Sequence, residues 1–241
     1  MELKLTQLGI VDYDGYGILW YGHYVKWMRR ALPRPSELLH LRFVAPLEWG
    51  EDGAAVHVYA VDATTALVQI RVGETRKATA LFRCAVADAG SPLVPPLQRV
   101  VKGLRASATV LPKAMGAIET TYQTFGSATE HDVLDWFEQT RTRAIGGQGV
   151  LRSLPGRIVV VQLDGLVVGT VPDSEATIVC LTTFHHHGWL VLSFKQEVLC
   201  RGKVVASMLC KLFYVEAATQ RAAPLPSSVR KHVSNAMKMP T

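Results

Sequence analysis

No apolar run in this chain reaches the roughly 20 residues that a membrane-crossing helix needs. The opening Met1-Glu2-Leu3-Lys4 lacks the apolar core of a secretory leader, so a cytoplasmic protein is the expectation. Cysteine is sparse. Cys84, Cys180, Cys200 and Cys210 show no Cys-x-x-Cys spacing, and three lie in apolar, strand-like runs. That excludes a disulfide framework and a cysteine-based zinc site, and it fits reduced core thiols. Acidic residues are outnumbered, 20 to 26, giving a formal net charge of +6. The excess favours an acidic partner, such as the phosphates of coenzyme A, an acyl carrier protein or nucleic acid. The basic residues are scattered and no nucleic-acid motif accompanies them, so nucleic acid is set aside. With 49% hydrophobic residues in 241, the chain can bury one large core or two small ones.

The rest of the chain is organised around the stretch from Val11 to Trp27, VDYDGYGILWYGHYVKW. Asp14 stands on a short loop after an apolar lead-in. Gly17 follows and permits a tight turn. An aromatic-rich segment then runs into a helix expected over residues 22–32, ended by Pro33 and Pro35. This order sets a carboxylate before the free amides of a helix N-terminus, which stabilise a developing oxyanion. Spacing alone fits a hairpin turn with a solvated Asp equally well. Further on, residues 3–11, 54–63, 66–72 and 77–87 read as strands, and Ser36–Leu39 as a short turn. A strand, a helix and an antiparallel meander bury one another when the sheet wraps the helix.

The stretch resembles the signature of the 4-hydroxybenzoyl-CoA thioesterase family, of hotdog fold. Asp14 falls on that family's catalytic Asp, Gly17 on its glycine, and Tyr24 and Trp27 on its helix aromatics. The resemblance implies that the amides of Tyr21 and Gly22 polarise the thioester carbonyl. It also implies that Gly17, Trp20, His23, Tyr24 and Gln123 line the substrate site. The chain departs from the family at His23, where Asn is usual, and at Arg29, where Glu is frequent. The implied activity is hydrolysis of acyl-CoA or acyl-carrier-protein thioesters, with no metal and no cofactor beyond the substrate's own coenzyme A or phosphopantetheine.

The second half repeats the first. At an offset of 109, Trp136 matches Trp27, Tyr122 matches Tyr13 and Gly126 matches Gly17. A helix over residues 131–145 carries Val133, Trp136, Phe137 and Ala144 on one stripe and ends at Gly146-Gly147. Strands are expected over residues 157–168, 176–184, 189–200 and 203–215. Lys211-Leu212-Phe213 echoes Ala80-Leu81-Phe82 at an offset of 131, which implies 22 inserted residues between helix and meander. The unit ends also correspond: Pro92-Leu93 with Leu97-Gln98-Arg99, and Pro224-Leu225 with Val229-Arg230-Lys231. The expected fold is therefore α+β, a double hotdog of two antiparallel sheets each wrapped around a central helix, with units over residues 1–104 and 105–241. Family members pair such units around their sites, and a homodimer of the whole chain is a further possibility. The counterpart of Asp14 is Gln123, which can be neither base nor nucleophile, so one productive site is expected.

Other candidates have plainer readings. His185-His186-His187 invites a metal, but neighbouring strand residues alternate faces and no zinc-spaced partner accompanies them; a hairpin turn before Gly188 is expected. Arg29, Arg30 and Arg34 could meet coenzyme A phosphates or form a solvated face. Glu138, at the position matching Arg29, is a minor catalytic candidate. Residues 227–238 read as a short basic helix with serine N-cap chemistry. A hotdog dehydratase, hydratase or acyltransferase, and a non-catalytic acyl-CoA-binding module, are the competing functions.

Overall fold

The computed structural model describes residues 2–4, 20–48, 50–86, 93–107, 111, 114–124, 128–169, 176–186 and 189–236, with residues 2–4 and 186 described by backbone alone. The chain divides into two compact units, Met1–Ala108 and Thr109–Thr241.

The first unit holds strands β1 (Glu2–Lys4), β2 (Ser36–Phe43), β3 (Ala54–Asp62), β4 (Thr65–Val72) and β5 (Thr75–Cys84), with helices α1 (Tyr21–Arg30) and α2 (Pro95–Ala106). Its strands pair antiparallel in the order β1-β3-β4-β5-β2. The register puts Ala66 opposite Phe82, Val68 opposite Ala80 and Ile70 opposite Ala78, so these six share a face. α1 lies on that face. Its Tyr24 ring meets Phe43 edge-on at 5.2 Å, and its Tyr24, Val25, Trp27 and Met28 are buried while Lys26 and Arg30 face outward. Full burial of one such side chain contributes roughly 1.5–3 kcal/mol, far more than the propensity of a ten-residue helix.

The opposite face carries Leu67 and Leu81, against which α2 packs Val101 and Leu104, with Leu97 and Val100 partly buried beside them. α2 went unread in the sequence because Pro95-Pro96 signals a break. Proline is tolerated in a first turn, where the amide has no helical acceptor, and here it stands at the first two helical positions. The expected unit boundary at 104/105 falls inside this helix. The turn expected at Ser36–Leu39 is instead the start of β2. Its Leu38 and Leu41 are buried, and a register shift between Leu38 and His40 breaks the alternation that would have marked a strand.

The second unit repeats the plan: β6 (Gly116–Thr124), α3 (Glu130–Ala144), α4 (Gly147–Arg152), β7 (Gly156–Val168), β8 (Ala176–His186), β9 (Val191–Cys200), β10 (Lys203–Glu216), β11 (Ala222–Ala223) and α5 (Ser227–Ala236). Its strands run β6-β8-β9-β10-β7, the same order unit for unit, with β11 added to β10. α3 buries Val133, Leu134, Phe137 and Ala144. Trp136 is only half-buried and stacks on Tyr122 at 6.0 Å, so it lies at the edge of the stripe rather than within it. Gly146 and Gly147, both at positive φ, end α3 as expected, and α4 follows unforeseen. The extra residues of this copy are thus spread over a longer helix, α4 and longer strands. The first helical bond of α5 runs from the Arg230 amide to the Pro226 carbonyl. Among the described residues, no helix is long and apolar enough to cross a membrane.

Candidate active site

The N-terminus of α1 is built from aromatic residues. Trp20 is its N-cap, in extended conformation, and the Trp20 side chain makes no cap hydrogen bond; the first turn holds no acidic residue. The His23 amide turns back to the Trp20 carbonyl at 3.0 Å. The Gly22 amide has no acceptor among the described residues. The Trp20 indole lies directly on Gly22: a Cβ at that position would fall 2.0–2.6 Å from three ring carbons. Tyr21 packs against Trp20 at 5.1 Å, and His23 meets Trp20 edge-on at 5.6 Å and Trp27 at 6.2 Å. Tyr21, Gly22 and Tyr24 are buried, and Trp20 and His23 are half-buried. The result is an aromatic-walled helix end whose backbone donors and macrodipole favour a partial negative charge.

Of the expected site residues, the structure brings Trp20, Tyr21, Gly22 and His23 together there. Asp14 and Gly17 lie outside the described residues. Tyr24, which helical spacing reads as core or pocket wall, is buried. Its hydroxyl accepts from the Leu47 amide at 2.8 Å in a buried contact, which ties the β2–β3 connection to α1. Gln123 stands on β6. Strand alternation turns Tyr122 and Thr124 inward and Gln123 outward, where its amide exchanges hydrogen bonds with Thr177 of β8 at 3.0 and 3.3 Å. Gln123 thus belongs to a cross-strand surface pair. Arg29, a candidate for phosphate binding, is engaged within its unit: it donates to the Ser36 carbonyl and sits over the Phe82 ring at 5.9 Å.

The corresponding helix end in the second unit is capped by its own side chains. Thr129 caps α3 in a reciprocal box. The Asp132 amide donates to the Thr129 hydroxyl at 3.3 Å, and the Thr129 amide donates to the Asp132 carboxylate at 2.7 Å. The Thr129 and Asp132 amides are therefore engaged, and Glu130 and Asp132 set negative charge at the first turn, where it competes with a developing oxyanion.

Two polar groupings escaped the sequence reading. Arg141, 3% exposed, donates to Gln196 at 2.9 Å, and Gln196 donates to the Phe137 carbonyl at 2.7 Å and the Thr182 hydroxyl at 2.9 Å. This buried network fastens α3 to β8 and β9. In the first unit, Lys77 donates to Glu51 at 2.5 Å and to the Pro46 carbonyl at 2.9 Å, pinning the β2–β3 connection. Burial works against ionisation of Glu51, but the Lys77 hydrogen bond, the Glu48 amide and the Lys77 charge outweigh it and hold the carboxyl below its ordinary value. Burial pushes the Cys180 and Cys210 thiols up to about 11, so both remain protonated at neutral pH and neither is a nucleophile. His185, buried at 8% exposure, lies in β8 opposite Ser193 of β9, so the strand runs through the expected hairpin start. No grouping of three or more His, Cys, Asp or Glu able to hold a metal occurs among the described residues.

No protein-family model matches the chain, and no curated protein matches it. Solved structures do. A proposed oleoyl thioesterase from Lactobacillus plantarum superposes with a TM-score of 0.57 at 10% identity, over 93% of this chain and 96% of that one. The tesB protein of Mycobacterium avium subs paratuberculosis gives 0.57 at 13% identity, over 88% and 92%. The fold is an α+β double hotdog. Each helix-wrapping sheet described above is one hotdog unit, and α1 and α3 are the two central helices.

Proposed function

We propose that this double hotdog hydrolyses acyl thioesters of coenzyme A or of a carrier protein, at the N-terminus of α1. The observation that carries the reading is the contrast between equivalent helix ends: α3 has a capping box and two acidic residues in its first turn, whereas at α1 the Trp20 side chain makes no cap hydrogen bond, the first turn holds no acid and aromatic residues ring it. A helix end with no acid in its first turn, in a fold that set two at its twin, is suited to a ligand oxygen that gains negative charge. The thioesterase names of the two neighbouring structures and the resemblance of residues 11–27 to the 4-hydroxybenzoyl-CoA thioesterase signature add weight to it.

In this reading the thioester carbonyl oxygen accepts from the Tyr21 and Gly22 amides, and Trp20 and His23 wall the acyl group. Asp14 either attacks the carbonyl carbon, giving an acyl-aspartyl anhydride that water opens, or takes a proton from water as it attacks. Both routes release the thiol and the free acid, and neither needs a group beyond water. Single turnover in labelled water separates them: the first route leaves the label in the Asp14 carboxylate when water opens the anhydride at the aspartyl carbon, and the second never does. Asp14→Asn keeps the shape and removes the charge. Turnover of an acyl-CoA panel by that variant is expected to fall about 10²–10⁴-fold with the melting temperature unchanged. A near wild-type rate would remove the carboxylate from the mechanism.

A further inference from the structure

We infer that the outer face of α2 docks an acidic protein, a carrier domain whose phosphopantetheine arm presents the thioester. The inference rests on the thioesterase reading and names the partner of the unit that carries α1. α2 is two-sided. Leu97, Val100, Val101 and Leu104 lie against its own sheet, and Arg99, Lys102 and Arg105 are exposed one turn apart. Arg105 lies 3.7 Å from Asp62. Arg99 and Lys102 have no acidic partner among the described residues. The helix itself carries no acid, and the sequence has none between Asp88 and Glu119.

Like charges one turn apart on a helix repel, and a single interposed Glu would relieve them. α3 shows the mixed alternative, with Glu130, Asp132, Asp135 and Glu138 alongside Arg141 and Arg143. Arg105, in the last turn and beside Asp62, favours its own helix, but Arg99 and Lys102 have no such explanation. It does raise the encounter rate with a negative partner.

The geometry selects the partner class. From Arg99 to Arg105 the row runs about 9 Å along a convex helix, at 1.5 Å per residue. A compact diphosphate calls for converging donors or a helix N-terminus. Here the row does not converge, and Pro95 and Pro96 remove two amides from the helix start. A lipid surface would take the apolar side of an amphipathic helix, and on α2 that side is covered by β4 and β5. An extended acidic protein surface is the fit that remains. α5 has a similar composition, but its Arg230 lies over the Trp189 ring at 5.8 Å and it belongs to the unit whose helix end is capped.

The test is titration of the full chain with a purified holo acyl carrier protein bearing no acyl group, at low and high salt. Wild type is expected to bind at low salt and to weaken as salt rises. Arg99→Glu/Lys102→Glu should weaken binding at least about tenfold while turnover of a free acyl-pantetheine thioester stays unchanged. Lys203→Glu/Lys231→Glu makes the same charge change at two other exposed positions and should bind as wild type does. If the first variant does not fold, Arg99→Gln/Lys102→Gln carries the same expectation in smaller degree. The inference is overturned if wild type fails to bind the carrier, if both charge-reversed variants weaken it equally, or if the α2 variant loses binding only to phosphatidylglycerol vesicles. Absence of acyl-pantetheine hydrolysis in wild type would count against the thioesterase reading alone, because the carrier titration requires no turnover.

Discussion

The missing Cβ at residue 22 is what allows the Trp20 indole to lie across the first turn of α1. The sequence marked Gly22 as a backbone donor because it follows the loop motif, and marked Trp20 as part of an aromatic entry. It could not show that the two touch, since the contact depends on a rotamer rather than on spacing. Tyr24 illustrates the same limit in reverse. An aromatic at helical spacing is core or pocket wall by pattern alone, and only the partner of its hydroxyl, the Leu47 amide, decides for a structural tie. Gly22→Ala should force the indole aside, since a methyl would sit 2.0–2.6 Å from ring carbons. As an overpacking change it is expected to cost about 1–3 kcal/mol in denaturant unfolding and to shift tryptophan fluorescence. A variant with wild-type stability and an unmoved spectrum would mean that the indole does not rest on residue 22.

At the scale of the element, legibility followed periodicity. α1, α3, β3, β4, β5 and the four long strands of the second unit carry continuous alternating or helical patterns, and their positions were read to within a few residues. β2 was lost to a register shift, α2 to a pair of prolines at its start, and the β2–β3 connection has no period to read. That connection is held by Lys77 and Glu51, 26 residues apart, a pairing invisible without the fold. The Glu51 carboxyl is held below its ordinary value, so its contribution to stability is present above the unfolded-state value near 4.5 and is lost as pH falls through the lower folded one. Glu51→Gln should therefore be less stable than wild type at neutral pH, and the gap should narrow steadily below about pH 4.5. Denaturant midpoints for both proteins across that range measure it. A gap that stays constant with pH would assign the loss to packing rather than to the carboxylate.

For the whole molecule, the internal repeat made the double architecture readable, because two copies of one pattern constrain each other more than either constrains itself. The repeat left one feature of the asymmetry unread. Aligning Gln123 with Asp14 by offset implied a degenerate site in the second unit. β6 turns Gln123 outward, and the second helix end also carries a cap, formed by Thr129 with Asp132. The asymmetry between units thus lies in helix capping as well as in a missing carboxylate. It follows that a hydrolysis-resistant acyl-CoA analogue should bind with one site per chain by calorimetry. Thr129→Ala removes the cap oxygen and should cost about 1 kcal/mol of stability, as loss of an N-cap does. It should leave both the stoichiometry and the turnover as they are, because the α3 end has no part in the reaction. Two sites in the wild type would show that a capping box does not close that helix end. A second site appearing only in Thr129→Ala would show that the box alone had kept the repeat from binding twice.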